Sequence, residues 1–141
     1  MPARVLFVCI HNSARSQMAE ALLNRNAGGL FRAESAGLEP GRLNPLAVEV
    51  LREHGIEIAG KRPRSIEEAL QSGTRFDYVI TVCDETSAAA CPDFPGETEK
   101  LHWSFPDPSA LTGSHDERLA GTRAICDEIE RRIEQWCAAL V

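Results

Sequence analysis

Val5-Leu6-Phe7-Val8-Cys9-Ile10-His11-Asn12-Ser13-Ala14-Arg15-Ser16 is the stretch from which the fold can be read. Val5 to Val8 is an apolar run of strand length, apolar enough to be covered on both faces of a sheet. It stops at Cys9. Five residues separate Cys9 from Arg15, Ser16 follows, and Gln17-Met18-Ala19-Glu20-Ala21-Leu22-Leu23 carries a helical pattern. The segment reads as strand, tight loop and helix, with a thiol where the loop begins and a guanidinium where it ends. A loop entering a helix turns backbone N–H groups toward one point, and the helix N-terminus adds positive potential there. A tetrahedral oxyanion suits such a nest, held by the N–H groups of Ile10, His11, Asn12, Ser13, Ala14, Arg15 and Ser16 and by the forked guanidinium of Arg15. The same field favours a thiolate at Cys9, with the Ser16 hydroxyl as a further donor to the sulfur. A nucleophile then stands beside the anion that it would attack. The loop has no glycine, so it is neither a Walker loop nor a dinucleotide fingerprint. Asn12 is the residue best suited to the tight bend.

The 141 residues suffice for one domain, 1–141, with its own core. The net charge of −6 argues against a nucleic-acid or anionic-membrane surface, while a short-range anion site remains compatible with it. Met1-Pro2-Ala3-Arg4 leads straight into the first strand and no apolar run approaches membrane length, so a cytoplasmic protein without a signal peptide is expected. Five cysteines in a reducing compartment are not a disulfide framework.

Outward from the first segment, strands and helices alternate. A first helix is predicted over 14–26, a second strand over 30–36, and a helix opening at Asn44-Pro45 with Asn44 as cap. The basic stretch 56–64 reads as irregular, with Arg62 and Arg64 solvated. Ser65-Ile66-Glu67-Glu68 is a capping box that opens a short helix. Strands follow at 76–82 and 100–105, and a last helix over 115–139 with the stripe Leu119, Thr122, Cys126, Ile129, Ile133, Trp136 and Leu140. This order implies a parallel α/β sheet wrapped by helices on both faces, with ligands bound beyond the C-terminal strand ends. Cys9, Cys83 and Asp107 all fall near such ends. Asp107, stiffened between Pro106 and Pro108, could protonate a leaving oxygen. Cys83 and Cys91 stay open between two ordinary cysteines and a thiol–disulfide relay with Cys9; their spacing does not suit zinc, and no metal site is expected. Cys126 and Cys137 read as helix packing. His11 reads as a rim residue rather than a base.

At Cys9-x5-Arg15-Ser16 with Asp107-Pro108 the chain resembles the low-molecular-weight protein tyrosine phosphatases. Cys9 to Glu20, Cys83, Cys91-Pro92 and the tract Leu101-His102-Trp103-Ser104-Phe105-Pro106-Asp107-Pro108 look more like the thioredoxin-coupled arsenate reductases built on that fold. The resemblance implies a three-layer sandwich with a four-stranded parallel sheet. It implies arsenate as substrate, attack by Cys9, binding by the loop and Arg15, help from Asp107 as water leaves, a Cys9–Cys83–Cys91 relay, and thioredoxin or a related thiol as reductant. It implies no bound cofactor, and a monomer is expected. Certain relatives bind potassium near the loop; Asn12, Glu20 and Ser35 match that site, but Arg64 stands where an aspartate is expected. The alternatives are a tyrosine phosphatase using Cys9, Arg15 and Asp107, and a phosphate binder or phosphoryl carrier. The loop after Gly37 offers no aromatic wall for an aryl ring, and a binder leaves Asp107 and the distal cysteines unexplained.

Overall fold

The computed structural model describes residues 2–83 and 97–140. Its elements are β1 (Ala3–Cys9), α1 (Arg15–Ala27), β2 (Phe31–Gly37), α2 (Pro45–Glu53), α3 (Ile66–Gln71), β3 (Tyr78–Thr81), β4 (Glu99–His102), a 3-10 turn at Pro108–Ala110, and α4 (His115–Leu140). The four strands lie in the order β2-β1-β3-β4, and every pairing is parallel. The expected α/β sandwich is thus the observed one.

Alternation along β1 explains the layers. Val5, Phe7 and Cys9 face a cluster built with Met18, Leu22, Leu51 and Ile129, from α1, α2 and α4. Leu6 and Val8 face the other way, onto Ile66, Ala69, Phe76 and Val79. A central parallel strand needs this double cover, which is why β1 has no polar face between Val5 and Val8. The chain leaves β1 toward β2 on one side and later returns to β3 on the other. That reversal opens a crevice at the C-terminal ends of β1 and β3, where sheets of this kind bind ligands. Register aligns Cys9 with Gly37 of β2, and Val8 with Thr81 of β3.

Several expected boundaries move. β4 stops at His102 rather than at 105. Trp103 still donates its N–H to Thr81 O (2.8 Å), but its ring turns inward against Phe7 and Trp136. Phe105 is also buried, so core packing draws this tract off the ladder. β3 is shorter than 76–82 because Phe76 is committed to the α3 side. β2 begins after Leu30, which is exposed. On α4 the buried face includes Ile125, and Leu140 lies outside it, 46% exposed. Asn44 caps α2 as expected, accepting from Leu46 N. Only half of the Ser65 capping box forms. Ser65 Oγ accepts from Glu68 N, while the Glu68 carboxylate pairs with Arg62.

Candidate active site

The loop after β1 is shaped from outside. The carbonyls of Cys9, Ile10, His11 and Ser13 accept from the backbone N–H groups of Leu38, Glu39, Gly41 and Asn44 at 2.7–3.1 Å. Asn12 O accepts from Gln17 Nε2 (3.2 Å), and Ala14 O from Met18 N (2.8 Å). With these carbonyls drawn outward, the loop's N–H groups turn toward its concave side, the arrangement of an anion nest. The segment that holds the carbonyls approaches closely. A Cβ on Gly37 would lie 2.8 Å from both Asn12 N and Ile10 O, so only glycine fits there. Asn12 makes the bend at φ 55°, the left-handed geometry expected of it.

The Cys9 thiol is buried at the loop's base. Asn12 N donates to its Sγ at 3.2 Å, and Ser16 Oγ lies 2.8 Å from it. Neighbours leave the Ser16 hydrogen free for that second contact. Asn12 Oδ1 accepts from Arg64 N (3.0 Å) and Gln17 Nε2 (3.2 Å), so the Asn12 amide presents Nδ2 to Ser16 Oγ at 2.7 Å. Ser16 accepts there and has its own hydrogen left for the sulfur. α1 enters with no side-chain cap at Ala14 and no acidic residue in its first turn, so its N-terminal potential is not spent on a neighbour.

Arg15 is 6% exposed. Its Nη1 donates to Phe105 O (3.2 Å), and its Nη2 lies 3.8 Å from Asp107 Oδ2. A guanidinium carries five donors, so this orientation leaves donors for an oxyanion. Asp107 accepts from Ser109 N (2.9 Å) and is partly open to solvent, its side chain 40% exposed. The structure thus brings Cys9, Arg15, Ser16 and Asp107 together. His11 is exposed and bonds Glu39 O through Nδ1 (2.8 Å), a rim position as read from the sequence. Cys83 follows β3, is wholly buried, and shares one apolar cluster with Cys9. Cys91 lies outside the described residues.

Asn44 and Arg64 do more than the sequence reading gave them. Asn44 caps α2, donates its N–H to Ser13 O, and donates Nδ2 to Ser109 Oγ (3.1 Å), so one residue ties the oxyanion loop to the Asp107 turn. Its cap role was legible; the long-range bonds had no local signal. Arg64, expected to be solvated, is instead partly buried. It bonds Asn12 Oδ1 through N, Ser35 O through Nε (2.9 Å) and Glu34 through Nη2 (2.7 Å). Ser35 O and the Glu34 carboxylate hold the guanidinium in place of water, and the backbone N–H is held by Asn12. Arg62 is exposed as expected and pairs with Glu68. Cys126 and Cys137 pack in or against the core, as read. Burial, then Asp127, Glu130 and Glu53, push the Cys126 thiol up to about 12.

No group of three or more His, Cys, Asp or Glu suited to a metal occurs among the described residues, and no described helix is long and apolar enough to cross a membrane. Residues 4–141 match the family model of the low molecular weight phosphotyrosine protein phosphatases. An arsenate reductase of Halalkalibacterium halodurans is 37% identical over 132 residues, spanning 94% of this chain and 93% of that protein. The crystal structure of an arsenate reductase from Archaeoglobus fulgidus superposes with a TM-score of 0.74 at 36% identity, over 94% of this chain and 97% of the other. A thioredoxin-dependent arsenate reductase of Corynebacterium glutamicum superposes with a TM-score of 0.63 at 30% identity, over 96% of this chain and 63% of the other.

Proposed function

Since the chain belongs to the low molecular weight phosphotyrosine protein phosphatase family, we propose that within it this protein is an arsenate reductase, drawing its electrons from its own thiols and then from thioredoxin or a related thiol in the cytoplasm. The observation that carries the reading is the placement of a second cysteine. Cys83 is buried in one cluster with Cys9, at the adjacent strand end, which supports a second thiol acting beside the first. Hydrolysis of a phosphate ester has no use for that second thiol; a two-electron reduction does.

The reaction then runs as follows. The loop N–H groups and Arg15 bind arsenate, and the Cys9 thiolate attacks arsenic. Asp107 gives a proton to the departing oxygen, which leaves as water, and an S–As(V) bond remains. The Cys83 sulfur attacks Cys9 Sγ. An S–S bond forms, the S–As bond breaks, and its electron pair stays on arsenic, which leaves as arsenite. Cys91 attacks Cys83, Cys9 departs as thiolate, and an external dithiol reduces the Cys83–Cys91 disulfide. Neither arsenate nor this relay needs a resident cofactor.

Arsenate-dependent NADPH oxidation, coupled through thioredoxin and thioredoxin reductase, tests the proposal. Wild type turns over, while Cys83→Ser and Cys91→Ser stop after a single adduct or a single disulfide. Undiminished turnover by Cys83→Ser would overturn the relay. No turnover by wild type, with fast hydrolysis of p-nitrophenyl phosphate, would return the protein to phosphatase chemistry.

A further inference from the structure

Behind the oxyanion loop lies a cavity of about 610 Å³ bordered by Asn12, Gln17, Glu20, Ser35, Lys61 and Arg64, among others. Oxygen atoms of the kind that can ligate a monovalent cation border it. Glu20 is a buried carboxylate that accepts from Ser35 Oγ at 2.9 Å. Gln17 is 1% exposed, and its Oε1 is a buried acceptor with no hydrogen-bond partner among the described residues. An isolated carboxylate in such a place is costly without a positive partner.

A separate ion does not fit, because the chain supplies the charge itself. The Lys61 ammonium is in direct contact with Glu20 Oε2. The Arg64 guanidinium lies against Ser35 O and Glu34, where an aspartate would have added negative charge for a metal. A potassium ion would meet two fixed cations at close range with the carboxylates already engaged.

We propose that Lys61 is a tethered cation that takes the place of a dissociable one and holds the oxyanion loop from behind. Lys61 pins the irregular segment before α3 to Glu20 of α1. Three residues on, Arg64 N bonds Asn12 Oδ1, and Arg64 O accepts from Gly37 N at 2.9 Å. Those bonds hold Asn12 in its left-handed bend, and Asn12 in turn donates both to Cys9 Sγ and to Ser16 Oγ. Lys61 touches neither the oxyanion nor the sulfur; it is a positioning residue. Because it is attached to the chain, its occupancy does not vary with salt composition.

The test is phosphate binding by calorimetry, together with thermal unfolding, on the full chain. Wild type, Lys61→Met and Lys61→Arg are compared in potassium chloride and in tetramethylammonium chloride at equal ionic strength. Neither readout involves reduction, so the result stands apart from the fate of the proposed reaction. Wild type and Lys61→Arg behave alike in the two salts. Lys61→Met binds phosphate about tenfold more weakly in tetramethylammonium, and potassium restores both its affinity and its melting temperature. Potassium-enhanced binding by wild type would overturn the proposal by showing a dissociable ion beside Lys61. So would a Lys61→Met protein that matches wild type in both salts, or one whose loss no potassium recovers.

Discussion

Ser16 shows how one hydroxyl can be left by its neighbours with a hydrogen to give. Its oxygen accepts from Asn12 Nδ2, so its hydrogen is left for Cys9 Sγ at 2.8 Å. Replacing it with alanine removes one donor to a sulfur that must carry charge, a loss on the order of 1.5–3 kcal/mol. Ser16→Ala should therefore slow iodoacetamide alkylation of Cys9 near neutral pH by roughly tenfold with little change in fold; an unchanged alkylation rate would remove the hydroxyl from the mechanism. Gly37 acts by absence. A methyl group there would press on Asn12 N and Ile10 O, both 2.8 Å away, and both are backbone atoms of the loop. Gly37→Ala should abolish measurable phosphate binding by calorimetry while the far-ultraviolet circular dichroism stays that of an α/β protein. The placement of Cys9, Arg15 and Asp107 near one another was legible in the sequence because residue type and spacing mark them as candidates. Gly37, Lys61 and Arg64 were not, because their roles depend on what the chain brings beside them from far along its length.

At the level of elements, α4 packs against α1 and α2 in one layer. Thr122, Ile125, Cys126, Ile129 and Ile133 are its buried residues. Ile129→Ala should lower unfolding stability in urea by about 2–5 kcal/mol. Leu140→Ala, at a side chain 46% exposed, should change it by less than about 0.5 kcal/mol. Equal effects would mean that the helix packs along its whole length. The β1-loop-α1 unit was legible because strand, bend and helix each follow from adjacent residues. The end of β4 was not. Trp103 and Phe105 alternate as strand residues do, and the pull of the core on both rings overrides that pattern. The same holds for the half-formed capping box, where an arginine took the carboxylate that the helix terminus would have used.

Across the described residues, the candidate site lies at the C-terminal ends of the two central strands, and the thiols divide accordingly. Cys9 and Cys83 lie at adjoining strand ends, while Cys126 sits on α4 with its thiol pushed up to about 12 by burial and neighbouring carboxylates. Burial raises Cys137 as well. Iodoacetamide at pH 8 should label Cys9 first and leave Cys126 untouched until the chain unfolds, as read by peptide mass spectrometry. Native-state labelling of Cys126 at the rate of Cys9 would contradict that division. The outward anchoring of the loop has a further consequence. Because four of its carbonyls are tied down by the backbone N–H groups of residues 38–44, the cradle is held in shape by the chain itself. Little conformational entropy is then lost on binding. A rigid cradle of this kind judges shape and charge, and phosphate and arsenate are nearly alike in both. Phosphate should therefore occupy the site as readily as arsenate, and in the reaction proposed above the choice of arsenic falls after capture, at the sulfur, where only one of the two central atoms can readily accept an electron pair and leave reduced.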